Sequence, residues 1–168
     1  MKKHILKIKF TLTLSVLILI NLFSYAQSPV GAWERFYDDE DGNNIRSVVI
    51  FSEKFQSIAM YNAKSGEFIY SNGGTWKLDG NMMTEKVEFD TANSERVGDV
   101  LTFEVKITND SLSIPDANWK FSKIDDGIPG ELNGAWLMSG RYRNGEKQMR
   151  STDRPRKTMK ILSGTRFQ

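Results

Sequence analysis

The segment 101–108 reads Leu-Thr-Phe-Glu-Val-Lys-Ile-Thr, and it decides the fold of this chain. Its apolar and polar residues alternate throughout, the apolar set being Leu101, Phe103, Val105 and Ile107. Successive side chains of a β-strand point to opposite faces, so this pattern predicts a strand with one buried and one solvated face. Asn109-Asp110 then favours a turn, after which the chain returns as the next strand.

The same period of two recurs between Gly31 and Asp125. It predicts eight strands, near residues 31–37, 46–53, 55–62, 67–71, 75–78, 82–90, 100–108 and 111–124, the last breaking at Pro115. Asp79-Gly80 is a hairpin signal, whereas Gly73-Gly74 leaves open whether two of these segments form one strand with a bulge. Sequential short strands predict an all-β fold, an antiparallel up-and-down eight-stranded barrel that has no free edges, with a sandwich as the alternative.

Residues 1–26 have the composition of a secretory signal peptide. Residues 1–9 contain four lysines and no acid, residues 10–23 are almost wholly apolar, and small residues stand at Ser24 and Ala26. This order predicts cleavage after Ala26, export to the periplasm or the medium, and a mature chain without a membrane span. A retained membrane anchor is the alternative, which the shortness of the apolar run disfavours.

The rare residue types exclude several classes of site. The 168 residues include no cysteine, and the one histidine, His4, lies in the predicted signal peptide. Disulfides, thiolate nucleophiles, serine–histidine hydrolases and histidine-ligated metals are therefore excluded for the mature chain. The acidic segment 38–44 lacks the ligand spacing of an EF-hand loop. We therefore predict neither a cofactor nor a metal.

Part of the chain is repeated. Gly31-Ala32-Trp33 recurs as Gly134-Ala135-Trp136, and the segments 46–56 and 157–168 align and end on the same Phe-Gln. We therefore expect a barrel over residues 27–126, followed over 127–168 by a linker and an incomplete second repeat of about two strands. That repeat is interpreted as a truncated second barrel, as an extra hairpin docked on the first barrel, or as a segment for strand exchange with a partner.

The second repeat is basic. Residues 131–168 carry nine basic and three acidic residues, whereas residues 27–130 carry ten and eighteen. The basic run faces either its acidic neighbour or a polyanionic glycan, its main members being Arg141, Arg143, Lys147, Arg150, Arg154 and Arg156. We predict no nucleic-acid partner, because the run lacks the interleaved aromatic residues that stack on bases.

These motifs resemble those of lipocalin-type barrels. Gly31-Ala32-Trp33 is similar to their Gly-x-Trp, which implies that Trp33 plugs the closed end under a basic residue of the last strand, Lys120 or Lys123. The order Gly73-Gly74-Thr75-Trp76, Asp79-Gly80-Asn81, Thr84-Glu85 resembles that of secreted bacterial lipocalin-like domains, which are largely of unknown function. The resemblance implies a small-molecule pocket and, because related genes lie in polysaccharide clusters, an accessory role in polysaccharide use.

The candidate binding residues follow from strand alternation and aromatic content. Glu85 shares the parity of Met83, Val87 and Phe89, so we expect an inward carboxylate, either a ligand anchor or a group paired internally with an arginine or tyrosine. Five aromatic residues are candidates to line a cavity: Trp33, Tyr61, Tyr70, Trp76 and Trp119. Core packing is the alternative, chiefly for Trp33 and Trp119, and we expect Trp76 to be partly exposed because it follows two glycines.

These features favour a non-catalytic binding protein for a small apolar or sugar-like ligand, including an oligosaccharide. The alternative is a structural or interaction barrel that is filled by its own side chains and that docks a partner or a polyanionic glycan through its basic tail.

Overall fold

The structure is a computed structural model that describes residues 28–128, 130–150 and 159–168. The predicted signal peptide, residues 1–26, lies outside these residues, as do Arg154 and Arg156. The described residues form strands, two short 3-10 turns and connecting loops, and they contain no α-helix.

Nine strands build the first part of the chain. They are β1 (Gly31–Asp38), β2 (Asn44–Phe51), β3 (Phe55–Asn62), β4 (Phe68–Asp79), β5 (Met82–Asp90), β6 (Val100–Glu104), β7 (Lys106–Ile107), β8 (Ser111–Ile114) and β9 (Trp119–Asp125). The 3-10 turns are Ser94–Arg96 and Pro115–Ala117. All nine strands belong to one antiparallel sheet in the order β6-β5-β4-β3-β2-β1-β9-β8-β7.

The sheet is nearly closed into a barrel. Its two terminal strands, β6 and β7, are consecutive in the chain and are separated only by Val105, whose N–H donates to the Asn81 carbonyl at 2.8 Å. The predicted strand 100–108 is therefore one length of chain whose first half pairs with β5 and whose second half pairs with β8. The prediction of an all-β, antiparallel, lipocalin-like barrel is confirmed.

A β-bulge between β4 and β5 changes which side chains of β5 face the interior of the barrel. The predicted strands 67–71 and 75–78 form the single strand β4, and Gly73 and Gly74 lie opposite Phe89 and Val87, which leaves Glu88 as an extra residue of β5. A side chain at Gly74 would overlap the Lys86 carbonyl oxygen, so glycine is required there. The extra residue also reverses the parity of β5, so that Phe89, expected inside with Met83, faces outward.

The described residues of the second part of the chain form four short strands rather than the expected two. They are β10 (Gly134–Leu137), β11 (Gly140–Arg143), β12 (Glu146–Met149) and β13 (Met159–Leu162). β10 pairs with β13, and β11 pairs with β12 through a turn at Asn144-Gly145, where both residues have positive φ. Such a turn matches the twist of a two-residue hairpin.

The two Gly-Ala-Trp segments have the same local structure. Gly31 and Gly134 have φ values of +126° and +122°. Each tryptophan donates its indole N–H to the carbonyl four residues earlier, Trp33 to Pro29 at 2.7 Å and Trp136 to Leu132 at 2.8 Å. The repeat read from the sequence is therefore also a repeat of conformation.

The second part of the chain packs on the outside of the barrel. Ile161 of β13 is fully buried against Ala32 and Ile50, which point outward from β1 and β2. The Gln168 amide donates to the Val48 carbonyl at 2.8 Å, and Asp125 at the end of β9 accepts hydrogen bonds from Ser163 and Thr165. β2 is therefore buried on both faces from Ser47 to Phe51.

Candidate ligand cavity

The interior of the barrel contains a cavity of about 430 Å³. Most of its wall is apolar, formed by Val49, Phe51, Ile58, Met60, Met83, Val87, Leu101, Phe103, Val105, Leu112, Ile114, Trp119 and Phe121. Seven polar or small residues complete the wall, namely Gln56, Tyr70, Asn72, Glu85, Arg96, Asp116 and Ala117. Small-molecule sites combine an apolar lining with a few polar groups in this way.

Trp33 closes one end of the barrel. Its side chain is fully buried, and the Lys123 ammonium lies 4.9 Å from the centre of its ring, within the range of a cation–π contact. Of the two lysines that the sequence offered, Lys123 therefore takes this position. Trp33 packs in the core beneath the cavity and is not one of the residues that line it.

The other end of the cavity is lined by the two 3-10 turns. β9 ends beside the start of β1, where Ala32 pairs with Asp125, so the start of β9 and the turn before it lie at the far end of the barrel. Asp116 and Ala117 belong to that turn. Arg96, from the turn after β5, reaches the cavity while its guanidinium pairs with the Asp90 carboxylate at 3.0 Å.

Glu85 places a carboxyl on the cavity wall as predicted. Across the described part of the chain, no hydrogen bond or ion pair joins this carboxyl to another residue. Burial raises the pKa of Glu85 to about 7, and the charge of Arg96 opposes that rise only in part. The internal partner considered from the sequence is therefore missing in these residues, and near neutral pH the carboxyl can both donate and accept a hydrogen bond.

Gln56 is a second polar group on the wall without a partner. The residue is 4% exposed, and its Oε1 has no hydrogen-bond partner. A buried polar atom that lacks a partner costs free energy, which a suitable ligand or water recovers. Gln56 shares the parity of Ile58 and Met60 on β3 and therefore points inward with them. The sequence alone does not show which face of β3 is the inner one, because both faces contain buried residues.

Sequence reasoning also missed Arg35. Its guanidinium carbon lies 4.1 Å from the ring centres of both Tyr37 and Trp119, so the cation is stacked between two aromatic rings. Burial lowers the pKa of Arg35, although the Tyr37 hydroxyl opposes this. Its Nε has no hydrogen-bond partner, nor has the buried Oγ of Ser47, which lies opposite it on β2. The sequence did contain a signal for the inward position of Arg35, because Arg35 lies two residues after Trp33 and therefore on the same face of β1.

Three of the six predicted binding residues meet at the cavity: Tyr70, Glu85 and Trp119. Burial raises the pKa of Tyr70, which fits its place in the wall. Trp76 instead packs edge-on against Phe51, with 5.6 Å between ring centres, and its indole N–H donates to the Ser52 carbonyl at 2.9 Å. Trp76 is partly exposed, as expected, but it does not line the cavity.

The placement of Tyr61 in the cavity was wrong. Tyr61 lies on the outer face, where it contacts Phe68 with 6.0 Å between ring centres and lines a groove next to Met159 and Gln168. The alternating parity of β3 explains this, because Gln56, Ile58 and Met60 occupy the inner face.

The predicted basic cluster is divided by the β11–β12 hairpin. Arg141 and Arg143 share one face with their partners Gln148 and Glu146, whereas Lys147 lies beside Tyr142 on the other face. Arg150 follows β12, where its N–H donates to the Ser139 carbonyl. These four side chains are exposed, but those of β11 and β12 do not form one continuous basic face.

The acidic turn, metal sites and membrane-spanning helices are the other candidate features of the described residues. The Asp39 carboxylate accepts hydrogen bonds from Asp41 and Asn43, which hold the acidic turn together and lower the pKa of Asp39. No group of three acidic, histidine or cysteine residues is arranged for a metal within ranges 28–128, 130–150 and 159–168. No helix in the same ranges is long and apolar enough to cross a membrane.

Comparisons of the chain with protein-family models, with curated proteins and with solved structures each gave no match.

Proposed function

We propose that the barrel binds a small, largely apolar ligand that shares a hydrogen bond with Glu85, and that it does so without catalysing a reaction. The observation that carries this proposal is the Glu85 carboxyl, which makes no hydrogen bond or ion pair within the described residues and lies on the wall of a mostly apolar cavity of about 430 Å³. A volume of this size suits a ligand of small-molecule dimensions.

The composition of the wall favours an apolar ligand body over a sugar. Beneath Glu85 the wall consists of large apolar side chains such as Met83, Phe103 and Leu112. Burial of apolar ligand surface there contributes about 25 cal/mol per Å². Trp119 is the one tryptophan of the wall, and Arg35 already covers one face of its ring. A sugar could therefore stack only on the other face.

The cavity also favours binding over the alternative of a filled barrel. A barrel packed by its own side chains has few voids larger than a water molecule. A cavity of about 430 Å³ beside the Glu85 carboxyl and the unpartnered Gln56 Oε1 therefore supports a barrel that binds a ligand, because a ligand there can bury apolar surface and satisfy a polar group at once.

The wider setting of the protein is proposed from the sequence. The predicted signal peptide supports export to the periplasm or the medium. The order of motifs supports membership of the secreted bacterial lipocalin-like domains and an accessory role in polysaccharide use. Native mass spectrometry of the protein from the cell envelope or culture fluid tests both export and binding. A mass that starts at Gln27 and includes a bound small molecule is expected.

A pair of tryptophan substitutions tests whether the cavity is the binding site. Leu101→Trp fills the cavity, whereas Thr102→Trp places the same side chain on the exposed face of β6. We expect a neutral apolar dye such as N-phenyl-1-naphthylamine to bind the wild type and Thr102→Trp equally, and Leu101→Trp at least tenfold more weakly. Equal dye binding by all three proteins would contradict the proposal.

The role of Glu85 is tested by competition with ligands that differ only in their polar group. Dodecylamine and dodecanol should displace the dye from the wild type at lower concentration than dodecanoate does, because ionised Glu85 repels a carboxylate, whereas an amine or a hydroxyl group can donate a hydrogen bond to Glu85. Glu85→Gln should remove the advantage of the amine. If dodecanoate competes best and Glu85→Gln changes nothing, Glu85 is not the anchor.

A further inference from the structure

One edge of β10 has no strand beside it in the described part of the chain. β10 pairs with β13 on its other side, and Trp136 on this strand is 51% exposed. An unpaired strand edge presents backbone N–H and C=O groups that can pair with a further strand. An exposed tryptophan next to such an edge adds apolar surface to the same site.

The first repeat shows what occupies the corresponding position. β1 pairs with β2 on one side and with β9 on the other, and Trp33 lies opposite Lys123 of β9. Under this strand Trp33 is fully buried, with the Lys123 ammonium 4.9 Å from its ring centre. Trp136 has the same glycine two residues earlier and the same indole hydrogen bond, but no strand of the described residues covers it.

Gly31 and Gly134, the corresponding glycines of the two repeats, differ in what lies next to them. A side chain at Gly31 would overlap the carbonyl oxygen of Asp125 on β9, so the close approach of β9 requires glycine. Gly134 has the same unusual φ, yet a side chain there would meet nothing within 4 Å. The second repeat therefore keeps the conformation that admits a strand, at a position where the described residues place none.

We propose that the free edge of β10 binds an extended peptide segment as an antiparallel strand. We expect this segment to have the residue pattern of β9. Apolar residues occupy every second position on the side that faces Trp136, and a lysine covers the indole with its aliphatic stem and its ammonium group. Backbone hydrogen bonds to β10 supply part of the affinity, and the contact with Trp136 supplies the specificity, as in other cases of strand addition.

The test uses a fluorescein-labelled peptide with the sequence of residues 118–126, which contains β9. Fluorescence anisotropy should show saturable binding to the whole protein, and hydrogen exchange should show protection of the β10 amides. Trp136→Ala should weaken binding at least tenfold, and a peptide with Lys123→Ala should bind several-fold more weakly. A peptide with Ser122→Pro should not bind, because proline removes a backbone donor.

Tyr142→Ala is the matched control, since Tyr142 is also an exposed aromatic residue of the second repeat but lies on the separate β11–β12 hairpin. It should leave the affinity unchanged. Absence of binding at millimolar peptide overturns the proposal. So does binding that is indifferent to Trp136→Ala, because the peptide would then have displaced β9 from the barrel or adsorbed elsewhere.

Discussion

The Lys123 ammonium lies over Trp33, 4.9 Å from the centre of its ring, and closes one end of the barrel together with that side chain. Trp33 is also held by the hydrogen bond from its indole N–H to the Pro29 carbonyl. Its counterpart Trp136 keeps the hydrogen bond, but it is half exposed, and no cation of the described residues lies over its ring. The two tryptophans therefore form an internal comparison between a buried and an exposed copy of one motif.

Trp33→Ala should lower the free energy of unfolding by about 3–5 kcal/mol, because it leaves a large cavity at the base of the core. Trp136→Ala should change it by less than about 1 kcal/mol, as expected of an exposed position. Urea unfolding followed by far-UV circular dichroism measures both. Similar losses in the two variants would contradict the assignment of Trp33 as the plug of the barrel.

The raised pKa of Glu85 makes stability depend on pH. The unfolded carboxyl titrates near 4.5 and the folded one near 7, so the folded state is favoured while Glu85 is protonated and loses this advantage as pH rises through that window. Glu85→Gln does not undergo this loss. The free energy of unfolding of Glu85→Gln, measured relative to that of the wild type, should therefore rise by on the order of 3 kcal/mol between pH 4 and pH 8.

Chemical unfolding of the ligand-free protein at pH 4 and pH 8 measures this difference. Glu67→Gln, at an exposed position between β3 and β4, is the control and should show no comparable change. A pH-independent difference between Glu85→Gln and the wild type would mean that the carboxyl is solvated or paired.

Gly31→Ala should be more destabilising than Gly134→Ala, by about 1–3 kcal/mol. Both glycines have a φ that disfavours other residues, so this contribution is common to the two variants. The added methyl group at residue 31 also overlaps the Asp125 carbonyl and separates β1 from β9, whereas the one at residue 134 meets open space. Thermal unfolding followed by near-UV circular dichroism compares them.

Asp125 joins the barrel to the C-terminal segment, and Asp125→Asn should loosen that segment. Burial raises the pKa of Asp125, but hydrogen bonds from Ser163, Thr165 and Gly127 outweigh it and hold the pKa below its ordinary value. The ionised form therefore stabilises the contact above pH 3.8, and this stability is lost as pH falls through the lowered pKa.

Hydrogen exchange measures the effect of Asp125→Asn. Amides of residues 159–168 should exchange faster in the variant, and in the wild type at low pH, while those of β3 and β4 stay protected. Equal protection of residues 159–168 in both proteins would show that the buried Ile161 and the Gln168–Val48 hydrogen bond hold the segment in place without the Asp125 carboxylate.

The alternation of apolar and polar residues predicted the barrel because most of its strands have one buried and one solvent-exposed face. Segment 101–108 is such a strand, and Glu85 was correctly placed inside by its parity with Met83. The bulge at Gly73-Gly74 was foreseen as an option. The sequence could not show that the extra residue belongs to β5, because this depends on the register between two strands.

The faces of β2 and β3 could not be assigned in the same way. The second part of the chain covers the outside of both strands, so apolar residues occur at both parities and the period of two is lost. Tyr61 was misplaced for this reason. Arg35 was missed because a charge on a strand is usually solvated, whereas here two aromatic rings enclose it.

The order of strands in the sheet bears on how the barrel folds. Every neighbouring pair is formed by strands that are consecutive in the chain, except β1 with β9. Local hairpins form quickly, whereas a pairing that spans most of a domain must first overcome the entropy of closing a long loop. We therefore expect the pairing of β1 with β9 to limit the rate of folding. Because Gly31 and Trp33 lie at this pairing, substitutions there should slow folding as well as lower stability.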